Sequence, residues 1–146
     1  MLPKKIIIHH SATKDSGTVS WQAIRRFHIE DCAWPEIGYH YGIEMVQDQP
    51  WAKPHAEIML GRFANEPGAH TKGQNHESIG ICCVGDFDKE EPPQEVWEAC
   101  LSLVRYLMVL YGLLKDDVYG HRDFAVKTCP GKRFDMDKFR ADLNMA

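Results

Sequence analysis

The apolar positions of the chain fall into short blocks whose period changes between two and about three and a half. Lys4 to His9 is a brief apolar run and predicts a buried strand. Ser11 to Thr18 is polar and predicts a loop. Ser20 suits the cap of a helix reaching to about Asp31, on which Trp21, Ile24, Phe27 and His28 recur at helical spacing and predict one buried face. Trp34-Pro35 ends that unit. From Tyr39 to Val46 the period becomes two, with Tyr39, Tyr41, Ile43 and Met45 expected on one face and His40, Gly42, Glu44 and Val46 on the other.

Pro50 and Pro54 interrupt the next stretch, ahead of a short return strand over Ala56 to Leu60, and Asn65 to Asn75 reads as a polar loop. Ser78 to Val84 is apolar nearly throughout, as in a central strand. A helix follows from Pro93 to about Tyr111, with Val96, Cys100, Leu103, Val104, Leu107 and Tyr111 as its stripe and Gly112 as its stop. Val118-Tyr119 predicts a short strand, and Asp135 to Leu143 a last helix anchored by Phe139 and Leu143. Strands without intervening helices between residues 39 and 84 make the sheet mixed. The expected fold is therefore α/β, a single domain over residues 1–146 with a central mixed β-sheet flanked by helices.

A chain of 146 residues can bury a core of its own without covalent staples. Its net charge of -4 argues against nucleic acid as a partner. No apolar run is long enough for a membrane span. Only three apolar residues separate Lys4-Lys5 from the histidines, too few for a signal peptide, so synthesis in the cytoplasm is expected. The five cysteines are an odd set that argues against a disulfide framework. Cys32, Cys82, Cys83 and Cys100 read as free thiols.

Three segments carry chemistry: Ile7-Ile8-His9-His10-Ser11-Ala12, Gly38-Tyr39-His40-Tyr41, and His121 through Lys127-Thr128-Cys129-Pro130-Gly131. Adjacent strand residues point to opposite faces, so only one of His9 and His10 can join a given site. One histidine of that pair, His121 and Cys129 would supply two imidazoles and a thiolate, the donors zinc prefers, with a fourth position left for water. A lysine nearby would stabilise an oxyanion, and a tyrosine hydroxyl could orient water or carry a proton.

Taken in order, Ile8-His9-His10-Ser11-Ala12-Thr13, Ile24-Arg25 with Phe27-His28, Ile37-Gly38-Tyr39-His40-Tyr41, Gly68-Ala69-His70, Gly73, Asn75-His76, Ser78-Ile79-Gly80-Ile81, Val84-Gly85 and His121 to Pro130 resemble the zinc-dependent N-acetylmuramoyl-L-alanine amidases. That family is shared by short phage endolysins and animal peptidoglycan-recognition proteins, and the resemblance spans nearly the whole chain. It implies His9, His121 and Cys129 as ligands of Zn2+, Tyr39 and Lys127 as catalytic residues, and His70 and Asn75 as residues of the substrate groove. It also implies cleavage of the amide between N-acetylmuramic acid and L-alanine of peptidoglycan. The expected partner is that substrate, taken by a monomer that binds neither nucleic acid nor membrane and reaches the host wall after membrane permeabilisation.

The stretch from Glu44 to Phe63 is longer than the family's hairpin and is expected to add a flap near the groove. Competing readings are a non-catalytic peptidoglycan-binding module, an intracellular wall-recycling amidase, and a cysteine hydrolase using Cys129 as nucleophile.

Overall fold

The computed structural model describes residues 1–15 and 20–144, so the loop expected over Ser11 to Thr18 lies partly outside the described residues. Among the described residues five strands, β1 (Lys5–His10), β2 (Tyr41–Val46), β3 (His55–Leu60), β4 (Ser78–Cys83) and β5 (Val118–Gly120), form one sheet in the order β3-β2-β4-β1-β5. β1 runs parallel to β4 and β5, β2 runs parallel to β4, and β3 is antiparallel to β2, so the sheet is mixed, as expected. β4 lies at the centre with all six residues buried, which its unbroken apolar sequence demands.

Helices α1 (Trp21–Glu30), α2 (Gln94–Tyr111) and α3 (Met136–Leu143) cover the sheet. The larger core joins Ile6, Ile8, Ile79, Ile81 and Cys83 to the α2 stripe of Val96, Cys100, Leu103, Val104 and Leu107 and to Phe139 and Leu143 of α3. Gly112 ends α2 in the left-handed conformation at φ 66°, and the Asp135 carboxylate caps α3 by accepting from Lys138 N at 3.0 Å. A smaller cluster of Trp21, Ile37, Cys82 and Val84 lies on the opposite face. Among the described residues no helix is long and apolar enough to cross a membrane.

Three expectations are corrected. Ser20 stands at the N-cap of α1 but its side chain makes no capping bond; the buried Glu44 carboxylate on β2 accepts from Trp21 N at 2.9 Å instead. A charge from the sheet thus satisfies a free helix donor that the local sequence leaves open. Phe27 is 55% exposed, because the buried stripe of α1 narrows to Trp21 with Ile24 and His28 partly covered. Residues 44–63 form the edge hairpin β2–β3 and its tip, and none of them lines the central cleft described below. Their longer loop packs instead toward α2, where Lys53, Pro54, His55 and Ala56 face Glu95, Glu98, Ala99 and Ser102.

Candidate metal centre and active site

The chemistry gathers at the carboxyl ends of β1 and β5, where open α/β sheets commonly place their ligands. His9 pairs in register with Cys82 and leaves the face of the smaller cluster, next to Tyr39. His10 leaves the other face, stacks near Phe87, and its Nδ1 accepts from Phe87 N at 3.1 Å. Strand alternation therefore separates the pair as expected.

His121 opens a turn of 3-10 helix directly after β5. Cys129 sits in the irregular loop that follows, tied back by Arg122 N donating to Cys129 O at 2.8 Å. The Arg122 guanidinium also holds the carbonyls of Thr128 (3.3 Å), Gly131 (2.9 Å) and Phe134 (2.9 Å). The peptide Cys129-Pro130 is cis.

One donor atom from each of His9, His121 and Cys129 lies within 4.8 Å of the others. His9 Nδ1 and Cys129 Sγ are 3.7 Å apart. Zinc bonds of about 2.0–2.1 Å to nitrogen and about 2.3 Å to sulfur, at a tetrahedral angle, put two such donors about 3.6 Å apart, so the donor set fits the ion. No fourth His, Cys, Asp or Glu joins the group among the described residues, which suits a catalytic rather than a purely structural site.

The far ring nitrogen of His9 is also held. Its Nε2 lies 2.9 Å from His70 Nδ1 and 3.3 Å from Thr71 Oγ1. With the proton on Nε2, His9 donates to His70 and turns the Nδ1 lone pair toward Cys129, the arrangement that orients metal-ligating histidines. His70 reaches this position by lying over Gly80 of β4. A Cβ on Gly80 would stand 2.5 Å from the His70 ring, so the strand needs a glycine there. The Asn75 carboxamide accepts from His70 N and Thr71 N, both at 2.9 Å, and holds the turn that presents them; Asn75 itself does not line the cleft.

Electrostatics favour neutral imidazoles. Burial, reinforced by His70 and His121, drives the His9 pKa well below its usual value. Burial and then His40 push His70 down to about 3, and burial with Lys127 lowers His121. Burial raises the Cys129 thiol to about 11. The imidazoles thus keep free lone pairs near neutral pH, while the thiol loses its proton there only to a strong competing charge such as a metal ion.

These groups floor a cleft of about 480 Å³, whose walls include Tyr39, His70 and Lys127. Tyr39 precedes β2 rather than belonging to it, so it escapes the alternation expected of it and packs with the smaller cluster, opposite Tyr41. Its ring centroid lies 5.2 Å from that of His9. Burial raises its phenol pKa well above the usual value, and the neighbouring Cys82 and Cys129 thiols add to the rise. The structure thus brings His9, His121, Cys129, Tyr39, Lys127 and His70 together and leaves Asn75 one layer behind.

Sequence reasoning passed over His28, Trp34 and Asp88, which also line the cleft. It also passed over Gly80, although an isolated glycine in an apolar strand is a signal of close approach.

Residues 1–132 match the N-acetylmuramoyl-L-alanine amidase family. The endolysin of Enterobacteria phage T3 is 34% identical over 140 residues, covering 92% of this chain and 83% of that protein. Peptidoglycan-recognition protein LB of Drosophila melanogaster is 32% identical over 141 residues, covering 88% of this chain and 54% of that protein. Among solved structures, the N-acetylmuramoyl-L-alanine amidase LysC from Clostridium intestinale URNW superposes with a TM-score of 0.82 at 30% identity, covering 99% of this chain and 87% of that one.

Proposed function

The chain belongs to the N-acetylmuramoyl-L-alanine amidase family, and from that premise we propose that it works as an endolysin whose single catalytic unit holds zinc through His9, His121 and Cys129. The activity is hydrolysis of the amide between N-acetylmuramic acid and L-alanine of peptidoglycan. The observation that carries the zinc reading is the convergence of two imidazoles and one thiol on the floor of a cleft, with Lys127 and Tyr39 on its walls. Zinc held by such a set supplies an activated water and a Lewis acid for the scissile carbonyl.

The chain's own groups do the rest. Lys127 brings a positive charge to the cleft, where it stabilises the oxyanion that develops on the carbonyl. Tyr39 stays a neutral phenol, since burial holds its pKa high, and therefore serves as a hydrogen-bond donor rather than a base. His70 and Thr71 fix the His9 ring, so the ligand need not reorganise as charge develops. Trp34 and His28 wall the cleft against the substrate. The chain acts as a monomer on the wall of a host bacterium, after the membrane has been permeabilised.

Cys129 separates this reading from a binding module that merely recognises peptidoglycan, because recognition alone has no use for a third ligand. Two experiments test it. Purified cell walls should lose turbidity with the zinc-loaded protein and not after chelation, and mass spectrometry of the muropeptides should show free stem peptides with an L-alanine amino terminus. Chelator-resistant lysis abolished by a thiol-alkylating reagent would instead favour a cysteine nucleophile.

A further inference from the structure

We propose that Asp88 is a positioning residue for the metal centre, setting the place of the Cys129 sulfur by clamping the loop that carries it. This rests on the reading of His9, His121 and Cys129 as the ligands. His9 sits on a strand and His121 follows one directly, but Cys129 lies in a loop outside regular structure. Its sulfur is therefore the donor whose position depends most on side-chain anchors.

Those anchors come from two sides. Arg122, in the turn that bears His121, holds the carbonyls of Thr128 and Gly131. Asp88, in the connection between β4 and α2, holds the donors. Its Oδ2 accepts from Thr128 Oγ1 at 2.9 Å, and its Oδ1 accepts from Lys132 N at 2.9 Å. One carboxylate thus straddles Cys129, gripping the residue before it and the third residue after it.

The grip is tight. Arg133 N donates to Phe87 O at 2.7 Å, and a Cβ on Gly131, at φ +119°, would stand 2.5 Å from the Phe87 carbonyl carbon. The same connection is anchored to β1, where Phe87 N donates to the His10 ring beside ligand His9. Asp88 therefore closes a path from the strand that bears one ligand to the loop that bears another. The two donors hold its carboxyl below the usual range, in keeping with a charge engaged at both oxygens rather than one free to act as a base. Asparagine removes the charge that strengthens both bonds, and it keeps the second only if the Thr128 hydroxyl reverses to accept from its amide.

The test compares wild type, Asp88→Asn and Thr128→Val by zinc competition against a chromophoric chelator and by the visible spectrum after cobalt substitution, with circular dichroism recorded on each. Asp88→Asn should weaken zinc binding by about 10–100-fold, the usual effect of losing an outer-shell partner, and should weaken and shift the thiolate-to-cobalt charge-transfer band. Thr128→Val should move both readouts the same way by less.

A folded Asp88→Asn with zinc affinity within about twofold of wild type overturns the proposal. So does weaker zinc with an unchanged cobalt spectrum, which would mark a general loss of stability rather than a displaced sulfur. Should Asp88→Asn fail to fold, Thr128→Val decides by the same criteria. A wild type that binds no zinc would sink the ligand reading, and this inference with it; a wild type that binds zinc as tightly as its variants sinks this inference alone.

Discussion

Replacing Gly80 by alanine probes the support of the metal centre with one methyl group placed outside the ligand set. Gly80 has no positive φ, so its backbone accepts alanine, and the obstacle is steric. The new Cβ would lie 2.5 Å from His70 Cγ and Cδ2 and 2.8 Å from Nδ1, so the ring must retreat by about 1 Å to reach ordinary contact. That ring is pinned by Thr71 Oγ1 at 2.9 Å and by His9 Nε2 at 2.9 Å, and the shift breaks the contact with His9.

Overpacking of this kind costs about 1–3 kcal/mol. The reduced freedom of the unfolded chain returns about 0.5–1 kcal/mol. A net loss of about 1 kcal/mol, within bounds of about 0 and 2.5 kcal/mol, is expected in urea unfolding of the metal-free protein. Zinc affinity should fall by about 10–100-fold, equivalent to about 1.4–2.7 kcal/mol. In a His70→Ala background the methyl meets no ring, so Gly80→Ala should be neutral or slightly stabilising there, a coupling that a double-mutant cycle reads directly. Stability within about 0.5 kcal/mol of wild type and zinc affinity within about twofold, or an equal cost in both backgrounds, would refute the reasoning.

Cys129→Ala removes the sulfur donor and should reduce bound zinc to less than about a tenth of wild type in metal analysis after dialysis; full loading would refute its place among the ligands. Lys127→Ala should keep its zinc and lose about 10²–10³ in turnover of a soluble muropeptide, as expected for one lost oxyanion partner; unchanged turnover would remove Lys127 from the chemistry. With the thiol raised to about 11 in the metal-free protein, zinc must displace its proton at any pH below that value. The ion competes with a proton, so affinity should rise by about tenfold for each unit of pH between about 6.5 and 8.5. Titration against a chelator at three pH values checks this, and a flat profile would mean the thiol is not displaced.

The legible part of the sequence was the part governed by local period. The unbroken apolar run of β4 and the stripe of α2 recur in the structure because a buried strand and an amphipathic helix have no other way to cover those side chains. His9 and His10 separated by the same logic, since alternation is a property of the strand itself. Alternation misled at Tyr39 because it was carried two residues beyond the start of β2, where the backbone is no longer a strand. It also could not anticipate that the buried stripe of α1 is so narrow that Phe27 stays in solvent, or that Glu44 would cap that helix in place of Ser20. Both depend on how far one element reaches over another.

The donor types of the site, imidazole and thiol, were written in the chain, and motif order pointed to His9, His121 and Cys129 together with Tyr39 and Lys127. What tertiary structure alone decided is how the site is held. His70 both walls the cleft and stands behind His9, because the turn fastened by Asn75 folds over β4 where Gly80 leaves room for its ring. Asp88 reaches Thr128 and Lys132 across 40 and 44 residues of chain. Contacts at that separation leave no period in the sequence, since they arise from two loops meeting at the ends of neighbouring strands. The residues that can bind an ion were therefore visible one at a time, while the distances that let them bind it together exist only once β1, β4 and β5 lie side by side.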